Sequence, residues 1–258
     1  MCNCLNVFLL TIYSCKRFVS KYCVKMKFIL NCTDDWATMS KKKIIAKTVI
    51  WFILLTVASI VAILICQMAY MSQGIDPTQL TEFGGNVATR MDKPVGQTVL
   101  LLLVIAPIAE EILFRLGVSL KRHAVALWSG LLPVTIAAYF YDAYSNWMVM
   151  AATIITGIIL YWLVMHFTTD EQWDRWREKY LRPVMWASAI GFGLIHLKAF
   201  SVITWMLLPY CLVTIMRPGL VGCALTYARV NLGFWCGVLF HALNNVPGVL
   251  VLLAMSVQ

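Results

Sequence analysis

From Thr48 to Met71 the chain carries no charged side chain. In a bilayer core every backbone N–H and C=O must be satisfied inside the protein, so such a run can only be a helix or a strand of a closed barrel. A barrel strand alternates polar and apolar residues, and this run is apolar on all sides. Similar runs lie at 96–120, 124–141, 147–167, 184–200, 202–216, 219–230 and 233–255. The runs at 202–216 and 219–230 are short, and Pro209 and Pro218 mark points where they break or tilt. With 61% hydrophobic and 13% charged residues, the chain has the composition of a membrane protein. The expected fold is all-α, a polytopic transmembrane helix bundle of about eight spans at roughly 20 residues each.

Charge orders the chain. Of the net +9, most lies in residues 1–47, where nine Lys/Arg face only Asp34 and Asp35. Residues 1–45 read as a basic N-terminal extension, partly disordered or interfacial, touching anionic lipid. Residues 46–258 form the transmembrane domain. Met39-Ser-Lys-Lys-Lys has the form of a short basic tail before a span. With no soluble fold to display the charge, nucleic acid is not an expected partner. Lys41, Lys42, Lys43 and Lys47 place the N-terminus in the cytoplasm by the positive-inside rule, in a cell (plasma) membrane. The charged connector 168–182 is expected as an interfacial helix. Five of the nine cysteines lie in the first 32 residues without a CxxC pair, and Cys66, Cys211, Cys223 and Cys236 stand alone in apolar runs. A structural zinc site is not expected.

Against this background Glu110 and Glu111 are costly. They sit in Leu103-Val-Ile-Ala-Pro-Ile-Ala-Glu-Glu-Ile-Leu-Phe-Arg115. An acidic residue at a span centre costs about 2.5–3.5 kcal/mol on insertion scales. Glu111 and Arg115 are one helical turn apart and can pair. Glu110 then points about 100° away, into other surroundings. The paired carboxylate stays ionised, while its desolvated neighbour suits general-base work near neutral pH. The plainer alternative, a structural ion pair with a spare acid, leaves the spare acid as unrelieved cost.

Two more polar sets lie within spans. His196 shares a helix face with Phe192. His241 shares one with Asn245, and Asn244 can reach the same face. An imidazole and two amides in an apolar helix need hydrogen-bond partners. His123, His166 and Arg229 fall at span ends, where snorkelling accounts for them. Together Glu110, Glu111, Arg115, His196, His241 and Asn245 supply the parts for activating a water at a peptide carbonyl. The same groups could bind a divalent metal with water as nucleophile. HExxH is absent, as are a Gly-x-Ser-x-Gly elbow and an intramembrane Asp pair.

Glu110-Glu111-xxx-Arg115, Phe192-xxx-His196 and His241-xxx-Asn245, in that order, resemble the three motifs of the CPBP family. That family comprises the CAAX prenyl proteases and bacteriocin-processing (Abi-type) intramembrane proteins. The resemblance spans 96–255. It implies an intramembrane endopeptidase acting on a peptide or membrane-protein substrate, with Glu110 activating water and Glu111–Arg115 in support. His196, His241 and Asn245 would bind a metal or form the oxyanion site. A metal, zinc by this reading, would be held by Glu110, His196 and His241; the alternative is a glutamate protease without one. The stretch from Arg115 to Phe192 is long for the family and holds two additional spans. Two other functions compete: a non-catalytic immunity or scaffold protein, and a Glu/His proton-coupled transporter. A transporter commonly shows repeat symmetry, and none is evident.

Overall fold

A computed structural model describes residues 40–77, 94–141, 146–200 and 203–256. Most of the basic extension, most of the loop after the first span and the Asp142 turn lie outside the described residues. Among those described, the chain forms seven α-helices and no β-sheet: α1 (Lys41–Met71), α2 (Val95–Arg115), α3 (Arg122–Tyr141), α4 (Trp147–Phe167), α5 (Asp170–Leu194), α6 (Leu208–Leu232) and α7 (Phe234–Ser256). Five of them, α1, α2, α4, α6 and α7, are long and apolar enough to cross a membrane. The all-α expectation holds; the count of about eight spans does not.

Part of the difference comes from two prolines that do not end helices, and part from α3, which is not among the helices long and apolar enough to cross. The connector and the expected fifth span are one helix, α5, which runs through Pro183. The carbonyl left without a donor there belongs to Lys179, in the exposed first half of the helix, where water can serve it. The expected sixth and seventh spans are likewise one helix, α6, passing through Pro218. In membrane helices, neighbouring groups commonly make good a proline's missing bond.

The chain divides into two compact units. The first holds α1, the end of α5 from Ala189, a 3-10 turn (Ile195–Ala199) and α6 as far as Tyr227. In α1 the buried residues Ile44, Thr48, Leu55, Ser59, Cys66 and Tyr70 form one stripe. The rest of that helix exposes Ile50, Ile53, Leu54, Val57, Ile65 and Met68, a surface fit for acyl chains rather than water. At the end of the stripe Cys66 and Tyr70 pack with Leu207, Tyr210 and Cys211, and the Tyr70 hydroxyl donates to the Met206 carbonyl. Gly193 of α5 lies against Gly219 of α6; a Cβ on Gly193 would stand 3.1 Å from the Ile215 oxygen. Small residues allow this backbone approach, which drives helix association in lipid.

The second unit holds α2, α3, α4, α5 as far as Ser188, the end of α6 from Ala228, and α7. The stretch between Arg115 and Phe192, expected to hold two additional spans, holds the hairpin of α3 and α4, of which α4 is long and apolar enough to cross a membrane. Gly130 and Gly157 face each other there so closely that a Cβ on Gly157 would overlap the Gly130 oxygen. Asn146 caps α4, its side-chain oxygen accepting from the N–H groups of Met148 and Val149 at 3.1 and 3.3 Å. Thr169 and Gln172 form a reciprocal capping box at the start of α5. A hydrogen bond with the Thr169 side chain also holds the Glu171 carboxyl below the usual carboxylate range. Gly233 supplies the turn between α6 and α7 with φ of 100°, a conformation open to glycine at little cost.

Candidate functional site

Helix α2 is not a uniform α-helix. Leu101–Ile105 form a π-helical turn, after which Ala106–Arg115 return to α geometry. Such turns insert one residue and rotate the helix beyond them, and they occur often at functional sites. Glu110, Glu111 and Arg115 lie on the α-helical part, all buried. Glu111 pairs with Arg115 through a direct ion pair, as the i, i+4 spacing predicts.

Helix α7 brings His241 between the two glutamates. Its Nδ1 is 3.1 Å from Glu111 Oε1 and its Nε2 is 3.3 Å from Glu110 Oε2. One imidazole thus joins the two carboxylates that the sequence sets side by side. Two carboxylates, one guanidinium and an imidazolium balance to zero. Moving the proton from Nε2 to Glu110 leaves that sum unchanged, and the buried Arg229 near Glu111 adds one positive charge to it. Glu110 is the most open member: its side chain is 11% exposed, against 3% for His241 and 0% for Glu111 and Arg115.

Asn245 lies one turn beyond His241 on the same helix. Its Nδ2 donates to the Leu102 carbonyl in the π turn at 2.9 Å, and its Oδ1 accepts from Asn244 Nδ2 at 3.3 Å. His196 sits on the 3-10 turn of the other unit, not inside the long helix expected at 184–200. Its Nδ1 is 2.7 Å from the Phe192 carbonyl, and its ring meets that of Phe192 edge-on at 5.0 Å. Five of the six expected site residues therefore belong to one unit, and His196 belongs to the other.

Three further side chains serve the motif helix, and none of them was expected at the site. Four consecutive carbonyls at the end of α2 each accept from a side chain of another helix. Leu113 takes the Trp128 indole N–H at 3.0 Å, and Phe114 takes the Ser188 hydroxyl at 2.8 Å. Arg115 takes Arg229 Nε at 3.2 Å, and Leu116 takes Arg229 Nη2 at 2.8 Å. Helix ends leave such carbonyls unpaired, and in an apolar medium that is expensive. Arg229 is 9% exposed, and its guanidinium lies 5.8 Å over the Phe234 ring. The expectation that it snorkels at a span end is corrected: it is buried, and it caps the motif helix. Its positive charge also suits the negative end of the helix dipole. The signal was present, since a cation inside an apolar run is by default a functional residue. His123 is exposed, and His166 stacks on Trp162 at 4.7 Å, consistent with the end-of-span reading.

Gly237, one turn before His241, makes room for the cluster. A Cβ there would stand 2.9 Å from Glu111 Oε2, a buried oxygen without a hydrogen-bond partner among the described residues. Gly237→Ala is expected to lower the thermal midpoint in detergent, because overpacking costs about 1–3 kcal/mol. That exceeds the roughly 1 kcal/mol of helix propensity alanine adds. A raised midpoint would mean that the Glu111 carboxylate is free to move aside.

Among the described residues no group of three or more His, Cys, Asp or Glu side chains is disposed to hold a metal ion. Both ring nitrogens of His241 already face carboxylate oxygens. Of the three residues expected to hold a divalent metal, Glu110 and His241 face each other and His196 belongs to the other unit. No family model, curated protein or solved structure matches the chain.

Proposed function

We propose that this membrane protein is an intramembrane endopeptidase of CPBP type, with Glu110 as the base that activates water. The observation that carries the reading is His241 set between Glu110 and Glu111 in a buried cluster. The His241 Nε2–H orients the Glu110 carboxylate, while Glu111 and Arg115 hold the other side of the ring. Glu110 takes a proton from water, and the hydroxide adds to a peptide carbonyl carbon. The tetrahedral adduct then collapses, the C–N bond breaks, and Glu110 returns its proton to the leaving amine. The limited exposure of Glu110 suits this step, since water needs access to the base and to no other member of the cluster. The substrate is a peptide or membrane-protein segment reaching the site from the lipid. The protein resides in the cell membrane with its N-terminus in the cytoplasm.

A specific feature favours a second reading. A Glu–His pair sharing one proton is also the unit of a proton relay, so coupled transport is the alternative. The protein-level test compares peptide termini in cells carrying the wild type with those carrying Glu110→Gln. New termini that depend on Glu110 are expected. Identical termini in both strains, with Glu110-dependent proton flux in sealed vesicles, would replace the peptidase by a transporter. Identical termini without flux would leave an immunity or scaffold protein. Stoichiometric zinc in the purified protein would replace the metal-free mechanism.

A further inference from the structure

The π turn in α2 leaves one carbonyl over. In a π turn the N–H bonds five residues back, and Ala106 N–H accordingly reaches the Leu101 carbonyl. Leu102 is next in line for a donor. Ala106 has spent its N–H one residue earlier, and the next residue, Pro107, has none. Leu102 is half-buried in an apolar run, where water does not stand in. Asn245 Nδ2 reaches across from α7 and donates to that carbonyl at 2.9 Å. Its own oxygen is occupied by Asn244 Nδ2.

We infer that Asn245 is a positioning residue: its amide replaces the N–H that Pro107 lacks, and so holds the π turn that sets where Glu110 faces. The effect of a π turn is rotational. One inserted residue turns the helix beyond it by about 100°. Glu110 lies only a few residues past the turn, and His241 lies one turn before Asn245. The bond therefore ties α2 to α7 one helical turn along α7 from His241. An oxyanion donor or a metal ligand would need the Asn245 side chain turned toward substrate. Here one of its two amide N–H groups is directed at the backbone of α2, and its oxygen accepts from Asn244.

The bond from Asn245 to Leu102 does not depend on any function; its link to catalysis rests on the peptidase reading above. The two are separated by a double-mutant cycle on the full-length protein, with two readouts. Asn245→Ala is introduced with Pro107 in place and with Pro107→Ala, and the thermal midpoint is measured in detergent. With Pro107 in place, Asn245→Ala is expected to lower the midpoint by about 2–4 °C, the size of one orphaned bond in a protein this large. Pro107→Ala restores a backbone donor beside Leu102, and in that background the Asn245→Ala shift is expected to fall to less than half. Equal shifts in both backgrounds would overturn the inference, and so would no shift in either.

Cleavage of a reporter membrane peptide is the second readout. Asn245→Ala is expected to lower kcat at least 10-fold with Pro107 in place and by less than 3-fold in the Pro107→Ala background, leaving KM unchanged throughout. An equal loss of kcat in both backgrounds would make Asn245 a residue that touches substrate and would defeat the positioning role. If the wild type cleaves no reporter and generates no termini in cells, the peptidase reading fails, while the thermal cycle still decides the bond.

Discussion

Arg115→Met is expected to be the most damaging single substitution in the protein, lowering its stability by about 3–5 kcal/mol. Arg115 and Glu111 are both fully buried and pair with each other. Without the guanidinium, Glu111 keeps the His241 Nδ1 contact at 3.1 Å and the charge of Arg229 nearby, and its Oε2 already has no hydrogen-bond partner among the described residues. A carboxylate left so in an apolar interior is the costly case, whereas removing both partners is not. The double variant Arg115→Met with Glu111→Gln should therefore recover a large part of the loss. The measurement is the thermal midpoint of detergent-solubilised protein for the two single variants and the double. If the double were destabilised by the sum of the singles, the buried pair would not be the source of the effect.

Arg229→Met ranks second, with an expected loss of about 2–3 kcal/mol from the carbonyls it abandons. Leu116 loses its Arg229 donor, while Arg115 keeps the backbone bond from Val118 at 3.2 Å. The contact over Phe234 is lost as well, worth on the order of 1 kcal/mol when partly desolvated. Arg229→Lys discriminates between charge and geometry. An ammonium keeps the charge at the negative helix end, but it is a compact point charge that lacks the planar fork bridging two adjacent carbonyls. The expected order of stability is wild type, then Lys, then Met, read from unfolding midpoints in the same detergent. Equal midpoints for wild type and Met would show that Arg229 does not support the end of α2.

Glu111 and Arg115 show how much of the site was legible beforehand. Their spacing on one helix fixes their pairing, because i and i+4 are neighbours on any α-helix. His241 and Asn245 were legible as members of one face for the same reason. That His241 would lie between the two glutamates was not, because a contact between α2 and α7 depends on how two distant segments pack. The partner of Asn245 was hidden for a subtler reason. Pro107 was visible in the sequence, but a lone proline does not say whether its helix kinks, ends or inserts a residue. Pro218 illustrates the ambiguity: it suggested a break, and it lies inside a continuous helix, as Pro183 does.

The sequence by itself determined that this chain is helical and built to cross a membrane. Its apolar runs leave the backbone no other way to satisfy its hydrogen bonds in lipid. It also determined which side chains must find polar partners, since each one buried there costs free energy until it does. The tertiary structure decided which partners they found: His241 for both glutamates, Asn245 for the Leu102 carbonyl, and Arg229, Ser188 and Trp128 for the end of the motif helix. Local spacing dictates contacts within a helix. Contacts between helices depend on where small residues let backbones approach and where a π turn resets the phase, and both are settled only when the helices pack.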